Sequence, residues 1–273
     1  VRSGNVACPK CGAKDFTDAR HFNLMFHTHM SKTGADGDTA YLRPETAQAM
    51  FLDYKNVIDT MRVKIPFGIA QIGKAFRNEI TPGNFVFRVI EFEQMEIEYF
   101  IRESTWSETF EGWLQAMHRW CKLIGLKAAH IHEKEHPKEQ LSHYSKRTVD
   151  LVYDFPFGRS ELYGLAYRTD FDLKRHAEYS GTKLEYIDQE TQERFIPHVI
   201  EPTFGVERTL LALLCDAYEE EKLENGETRT VLHLAPSIAP VKVAIFPLMK
   251  KEPLAQKAEE VFSLLQTLWA CEY

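Results

Sequence analysis

Between residues 77 and 96 two arginines, one aromatic ring and two carboxylates recur at spacings that a pair of strands would gather on one surface. Side chains alternate faces along a strand, so Arg77 and Glu79 point the same way on one arm. On the next arm Arg88, Ile90, Phe92, Gln94 and Glu96 share a face. Guanidinium forks grip phosphates and a ring can lie under a base, so this surface suits an aromatic, anionic ligand such as ATP. Any single Arg and Glu pair here has a plainer reading as a cross-strand surface pair, but that does not account for a Phe interleaved with charges. A second candidate is Glu201 to Arg208, where a strand meets a helix. A third is Cys8-Pro9-Lys10-Cys11-Gly12, a knuckle in which two thiolates could face one zinc ion. Tetrahedral zinc needs four ligands, so Cys8 and Cys11 make half a site. His21, His27 and His29 are further candidates, although His-Thr-His on a strand reads first as one polar face. The other ligands are expected upstream of Val1.

These groups need elements to position them. Ala47, Met50, Phe51, Tyr54, Val57, Ile58 and Met61 recur at three and four, which predicts an amphipathic helix opened by Pro44 and Glu45. Strands are expected over Phe67 to Ile80 and Phe85 to Phe100, joined at Thr81-Pro82-Gly83-Asn84 as a long-armed hairpin. Thr105 with Glu108 reads as a capping box ahead of a helix through Ile124 that Gly125 stops. Residues 126 to 195 alternate short strand-like runs with charged loops and resist assignment. Pro197 to Thr203 reads as a strand, followed by a helix burying Val206, Leu210, Leu213, Leu214 and Ala217. Glu219 to Glu224 reads as a solvated acidic stretch and Leu234 to Pro240 as a linker. A strand over Val241 to Leu248 and a helix from about Leu254 to Leu268 follow.

The chain has 33 Lys and Arg against 40 Asp and Glu, a net charge of −7, so a nucleic-acid partner would need a local basic surface. No apolar run approaches the roughly 18 residues of a membrane span. Five cysteines, an odd number mostly set singly in apolar contexts, disfavour a disulfide framework and suit a reducing compartment. The chain starts at Val1 and stops just after a helical pattern, which reads as a trimmed piece. A cytoplasmic location is expected, with an organellar form left open.

Phe76-Arg77-Asn78-Glu79, then Arg88, Phe92 and Glu96 at intervals of four, resembles motif 2 of class II aminoacyl-tRNA synthetases. Glu201-Pro202-Thr203-Phe204-Gly205-Val206-Glu207-Arg208 ahead of an apolar helix resembles motif 3. Phe22-Asn23-Leu24-Met25-Phe26, Arg43-Pro44-Glu45-Thr46-Ala47-Gln48, Glu91 to Glu96 and Arg168-Thr169-Asp170-Phe171-Asp172-Leu173 resemble the homodimeric glycyl-tRNA synthetase family. Thr203 departs from the family's usual Ser, and His21 from its usual Gln. Motif 1, which builds the dimer interface in this class, is not found and is expected before Val1.

The resemblance implies an α+β fold with a mainly antiparallel sheet flanked by helices. Residues 1–236 would form the catalytic domain, and 241–273 the opening of a C-terminal α/β anticodon-binding domain. It implies ATP-dependent activation of glycine and transfer to tRNA(Gly), with ATP, glycine and tRNA(Gly) as partners, a homodimer, Mg²⁺ with ATP, and no membrane. Arg77 would hold the α-phosphate, flanked by Asn78, with Glu79 at the adenine amino group and Phe92 stacked on the ring. Arg208 would cover the other face and reach the γ-phosphate, and Arg88 would meet the terminal phosphates. Arg77 and Arg208 would carry catalysis. Glycine would sit among Glu45, Gln94, Glu96 and Thr203, with Arg168 on its carboxylate. Glu201 would hold Mg²⁺ or the substrate ammonium. Two other readings stay open: a non-catalytic module resembling the accessory subunit of mitochondrial DNA polymerase, and an adenylating ligase with a different acceptor. The joint presence of Arg77, Arg88, Phe92 and Arg208 argues against the first.

Overall fold

The computed structural model describes residues 6–14, 21–30 and 37–273. In chain order, a small ribbon of β1 (His27–Met30) and β2 (Asp38–Tyr41) precedes helix α1 (Ala47–Met61). The hairpin strands β3 (Phe67–Phe76) and β4 (Glu91–Ile101) come next, then helix α2 (Trp106–Leu123). After β5 (Ile131–Glu135), β6 (Arg147–Phe155) and β7 (Gly158–Thr169) lies helix α3 (Phe171–Ser180). A short ribbon of β8 (Tyr186–Ile187) and β9 (Arg194–Phe195) leads to β10 (His198–Gly205) and helix α4 (Val206–Ala217). The hairpin of β11 (Tyr218–Lys222) and β12 (Thr228–Leu232) follows, then β13 (Val243–Ala244), α5 (Leu254–Leu265) and β14 (Cys271–Glu272).

Six strands form one sheet in the order β3-β4-β10-β7-β6-β5, every neighbour antiparallel. Strand β10, late in sequence, is thereby inserted between β4 and β7. The sheet separates two apolar clusters. On one face Phe110, Leu114, Met117 and Cys121 of α2 pack with Leu151, Tyr163, Leu165 and Ile200. On the other, Ala47, Phe51 and Tyr54 of α1 and Leu173 of α3 pack with Phe100 and Val199. Neighbours Val199 and Ile200 thus serve opposite faces, as strand alternation requires. Along the second face β4 runs from Phe100 through Glu98 and Glu96 to Gln94, all buried. Beside it β10 runs from Val199 through Glu201 to Thr203. The face passes from apolar under α1 to acidic at the mouth of a cleft.

Several sequence expectations are corrected. The hairpin arms are shorter: residues 77–90 leave the ladder and fold back as a loop pinned by a Gly83 and Arg88 bridge. Helix α1 starts at Ala47, with Thr46 as its cap and Pro44 outside it. The Thr105 hydroxyl donates to the Arg102 carbonyl at 3.0 Å instead of closing a capping box. Helix α4 buries Thr209, Ala212, Asp216 and Ala217 while Leu210 is half exposed. Polar partners decide that rotation, because Asp216 accepts the Lys127 N–H at 2.7 Å and the Tyr153 hydroxyl at 2.8 Å. The acidic stretch is one arm of a hairpin, and only Val243–Ala244 of the expected 241–248 strand is paired. Gly125 does end the α2 region, at φ +92°, and a Cβ there would lie 2.5 Å from that of Ala235.

Candidate active site

One cleft at the end of the acidic face is lined by Glu45, Arg77, Glu79, Arg88, Phe92, Gln94, Glu96, Glu201, Thr203 and Arg208. Ten of the residues singled out in the sequence therefore meet in one place, although Arg77, Glu79 and Arg88 arrive from the loop and not from paired strands. The Arg77 guanidinium stands 5.3 Å from the centre of the Phe92 ring, and its Nε donates to the Pro44 carbonyl at 3.1 Å. Arg88 lies 3.9 Å from Glu79, a half-exposed pair that is worth little by itself and leaves both groups able to turn to a ligand. Arg208, at the start of α4, lies 4.4 Å from the Phe87 ring centre and 3.3 Å from Glu161 of β7. Its Nε also donates to the Phe87 carbonyl at 3.2 Å, which ties the loop to the helix. Glu207 holds that helix to β4 by accepting the Glu93 N–H at 2.9 and 3.0 Å.

The acidic end is built on Arg168, which is 1 % exposed. Its Nε and Nη2 donate to Asp172 at 2.8 and 2.9 Å, and Nη1 donates to Glu201 at 2.8 Å. The guanidinium plane lies 4.0 Å from the Tyr144 ring centre. Burial opposes its charge, but Glu201 and Asp172 more than offset that, so it stays protonated. The guanidinium is engaged on two carboxylates beneath the cleft and stands 4.0 Å from a third, Glu45, which lines it. It positions Glu201. The Asn78 Nδ2 donates to the Asn23 carbonyl at 2.9 Å and anchors the neighbouring segment.

Glu96 accepts the Thr46 N–H at 2.8 Å together with the Thr46 hydroxyl, which puts a carboxylate on the positive end of α1. Burial raises its carboxyl above the usual range, and the two Thr46 bonds work against that shift. Glu201 is pushed up to about 7 by burial, opposed by Arg168 and reinforced by Glu96 and Glu45. Thr203 sits directly across from Glu96, and Gly205 across from Gln94. The Gln94 Oε1 is buried without a partner, an orphaned acceptor beside the carboxylates. Acceptors thus gather at one end of the cleft and guanidinium groups with a ring at the other. Such an arrangement can hold a cation beside an aromatic polyanion. Sequence reasoning gave no role to Asp172 and Thr46, which it included only within longer runs, and missed Tyr144. Strand spacing signals only residues on the same strand, whereas these three come from α3, the entry to α1 and a loop.

Magnesium requires hard oxygen donors and keeps most of its shell as water and phosphate. Glu201, 6 % exposed and bonded to Arg168, does not fit that need, contrary to expectation. Glu161 fits better, an exposed carboxylate that lines the cleft beside Arg208, whereas both Glu207 oxygens are taken up by the Glu93 N–H. At the knuckle, the Gly12 N–H donates to the Cys8 carbonyl at 2.8 Å, and Gly12 has φ +73°. Hydrogen bonds from the backbone of Cys11 and Lys10 lower the Cys8 thiol. Among the described residues no group of three or more His, Cys, Asp or Glu is placed to hold a metal ion. None of their helices is long and apolar enough to cross a membrane.

The family model described as the tRNA synthetase class II core domain for G, H, P, S and T matches residues 29–217. Over 273 residues, all of this chain, a protein of Geobacillus kaustophilus named glycine--tRNA ligase is 52% identical, and one of Acetivibrio thermocellus with the same name is 51% identical; each match covers 59% of the relative. A glycine--tRNA ligase of Lachnospira eligens is 52% identical over 269 residues, 98% of this chain and 58% of the relative. The chain therefore spans a little under three fifths of the length of these curated relatives.

Proposed function

The chain belongs to the class II tRNA synthetase core family, and we propose that the protein carrying it activates glycine with ATP and passes the glycyl group to tRNA(Gly). The observation that carries this reading is the pairing of an acidic pocket, made by Glu45, Glu96 and Glu201 opposite Thr203, with an arginine-lined cleft containing Phe92. Three carboxylates close together favour a cation, and a primary ammonium supplies one. In this reading Thr203, across from Glu96, would fill the space a substrate side chain needs. A pocket can exclude a larger substrate by steric overlap, whereas a missing methylene is worth only about 1–3 kcal/mol.

In the proposed reaction the glycine carboxylate oxygen attacks the α-phosphorus of ATP in line. The new P–O bond forms as the bond to pyrophosphate breaks, giving glycyl-adenylate. A ribose hydroxyl at the end of tRNA(Gly) then attacks the acyl carbon and releases AMP. Neither step needs a side-chain nucleophile. Arg77 orients the α-phosphate, Phe92 supports the base, and Arg88 and Arg208 meet the terminal phosphates, so rate comes from positioning and charge stabilisation. Glu79 is assigned to the adenine amino group. Glu161 would offer its carboxylate to Mg²⁺, which would neutralise charge on the phosphates when bound. We assign residues 1–236 to the catalytic domain and 241–273 to the opening of an anticodon-binding domain. A homodimer and a cytoplasmic site of action complete the proposal.

The experiment is ATP–pyrophosphate exchange with a panel of amino acids. Exchange with glycine and little with alanine or serine is expected. Equal activation of alanine or serine would refute the pocket assignment and leave a class II enzyme of other specificity.

A further inference from the structure

Two residues beyond Glu96 on β4 lies a carboxylate to which the mechanism above gives no part. Glu98 is wholly buried. On one side it faces Ile69 of β3, which offers no polar group. On the other, the register of β4 with β10 pairs Ile200 with Tyr99 and Thr203 with Glu96, which sets Glu201 opposite Glu98. Opposed residues on neighbouring strands hold their Cβ atoms about 5 Å apart. Both Glu98 oxygens are buried and meet no donor.

The neighbouring cation does not resolve this. Three Arg168 nitrogens donate to Asp172 and Glu201 and none to Glu98. The charged groups around Glu98 are Glu201 on β10, Arg168 on β7, Asp172 on α3 and Glu96 on its own strand, three carboxylates to one guanidinium. An ionised Glu98 would be a buried charge with neither donor nor counter-ion, beside other negative charge. A neutral Glu98 has a hydroxyl to donate, and an anionic acceptor stands across the strand gap. Two carboxyl groups set opposite each other on paired strands in this way can hold one proton between them. Burial pushes the Glu98 carboxyl well up, and Glu201 adds to the shift.

We propose that Glu98 is held as the carboxylic acid, donates its proton to Glu201, and so positions the Glu201 carboxylate for the substrate ammonium. Glu98 is a positioning residue, acting through Glu201. Arg168 holds Glu201 from one side and Glu98 from the other, leaving its charge directed into the cleft. The inference rests on the ammonium reading of the site.

Two variants and one spectrum test it. Glu98→Gln keeps the shape and supplies an N–H donor to Glu201, so its KM for glycine in pyrophosphate exchange stays near that of the unaltered protein. Glu98→Leu removes the donor and raises the KM for glycine about ten-fold or more, with the KM for ATP unchanged. Infrared difference spectra of unliganded protein at about pH 8.5, above the range in which Glu201 loses its own proton, should show a protonated-carboxyl C=O band that Glu98→Gln lacks. Absence of that band in the unaltered protein overturns the proposal, whether or not the leucine variant folds. So does a glutamine variant as impaired as the leucine one, which would mean that the negative charge is needed, or a leucine variant with normal kinetics. Failure of the unaltered protein to exchange with glycine would instead sink the substrate reading, and the spectrum would still decide the state of Glu98.

Discussion

The carboxylate of Glu96, in the middle of the sheet, caps helix α1 by accepting the backbone N–H of Thr46 at 2.8 Å along with its hydroxyl. No side chain of the helix's own cap residue does this work. One contact therefore joins the start of α1, and Glu45 just before it, to the acidic pocket.

Replacing Thr46 by Val keeps the N–H and the shape but removes the hydroxyl. A hydrogen bond to a charged group contributes about 1.5–3 kcal/mol, so urea unfolding should register a loss of that order. The KM for glycine should rise with it, because Glu96 loses its fixed position. A stability change under about 0.5 kcal/mol would remove the hydroxyl from this account.

Arg77 packs against Phe92 and bonds the Pro44 carbonyl, yet it stands on a loop outside the core. Arg77→Ala should leave folding intact by circular dichroism and slow pyrophosphate exchange by about two orders of magnitude or more, as expected for a group that meets charge in the transition state. Near-normal exchange in the folded variant would exclude Arg77 from the chemistry.

Arg168→Met leaves Asp172 and Glu201 buried without their partner. Breaking a buried ion pair from one side costs about 3–5 kcal/mol, which should appear as a large drop in unfolding midpoint. Arg168→Lys should restore little, since one ammonium cannot replace a fork that bonds two carboxylates at once. A lysine variant as stable as the parent would show that charge alone suffices.

Stability should also depend on Glu201 through pH. Burial raises its carboxyl to about 7 in the folded protein, with Arg168 opposing and Glu96 and Glu45 adding; in the unfolded chain it returns to about 4.3. Between those values the folded state binds the extra proton, so this contribution is complete below about 4.3 and is lost as pH rises through 7. Unfolding free energy measured across that window should fall more steeply with pH in the parent than in Glu201→Gln. Identical slopes would contradict the raised value.

The types and spacing of Arg77, Arg88, Phe92, Glu96 and Arg208 were legible in the sequence because they fall in two short local patterns, each next to its own element. So were the amphipathic faces of α1 and α2, whose apolar repeats match helical periodicity. Local patterns could not show which elements would touch. The insertion of β10 between β4 and β7 sets Glu201 against Glu98, and that long-range pairing brings together residues more than one hundred apart in sequence. Nor could the sequence tell that Arg168 would bond both Asp172 and Glu201 beneath the cleft. A guanidinium reads the same in a sequence wherever it points. Burial and competing partners decide what it binds, and only the assembled sheet supplies both.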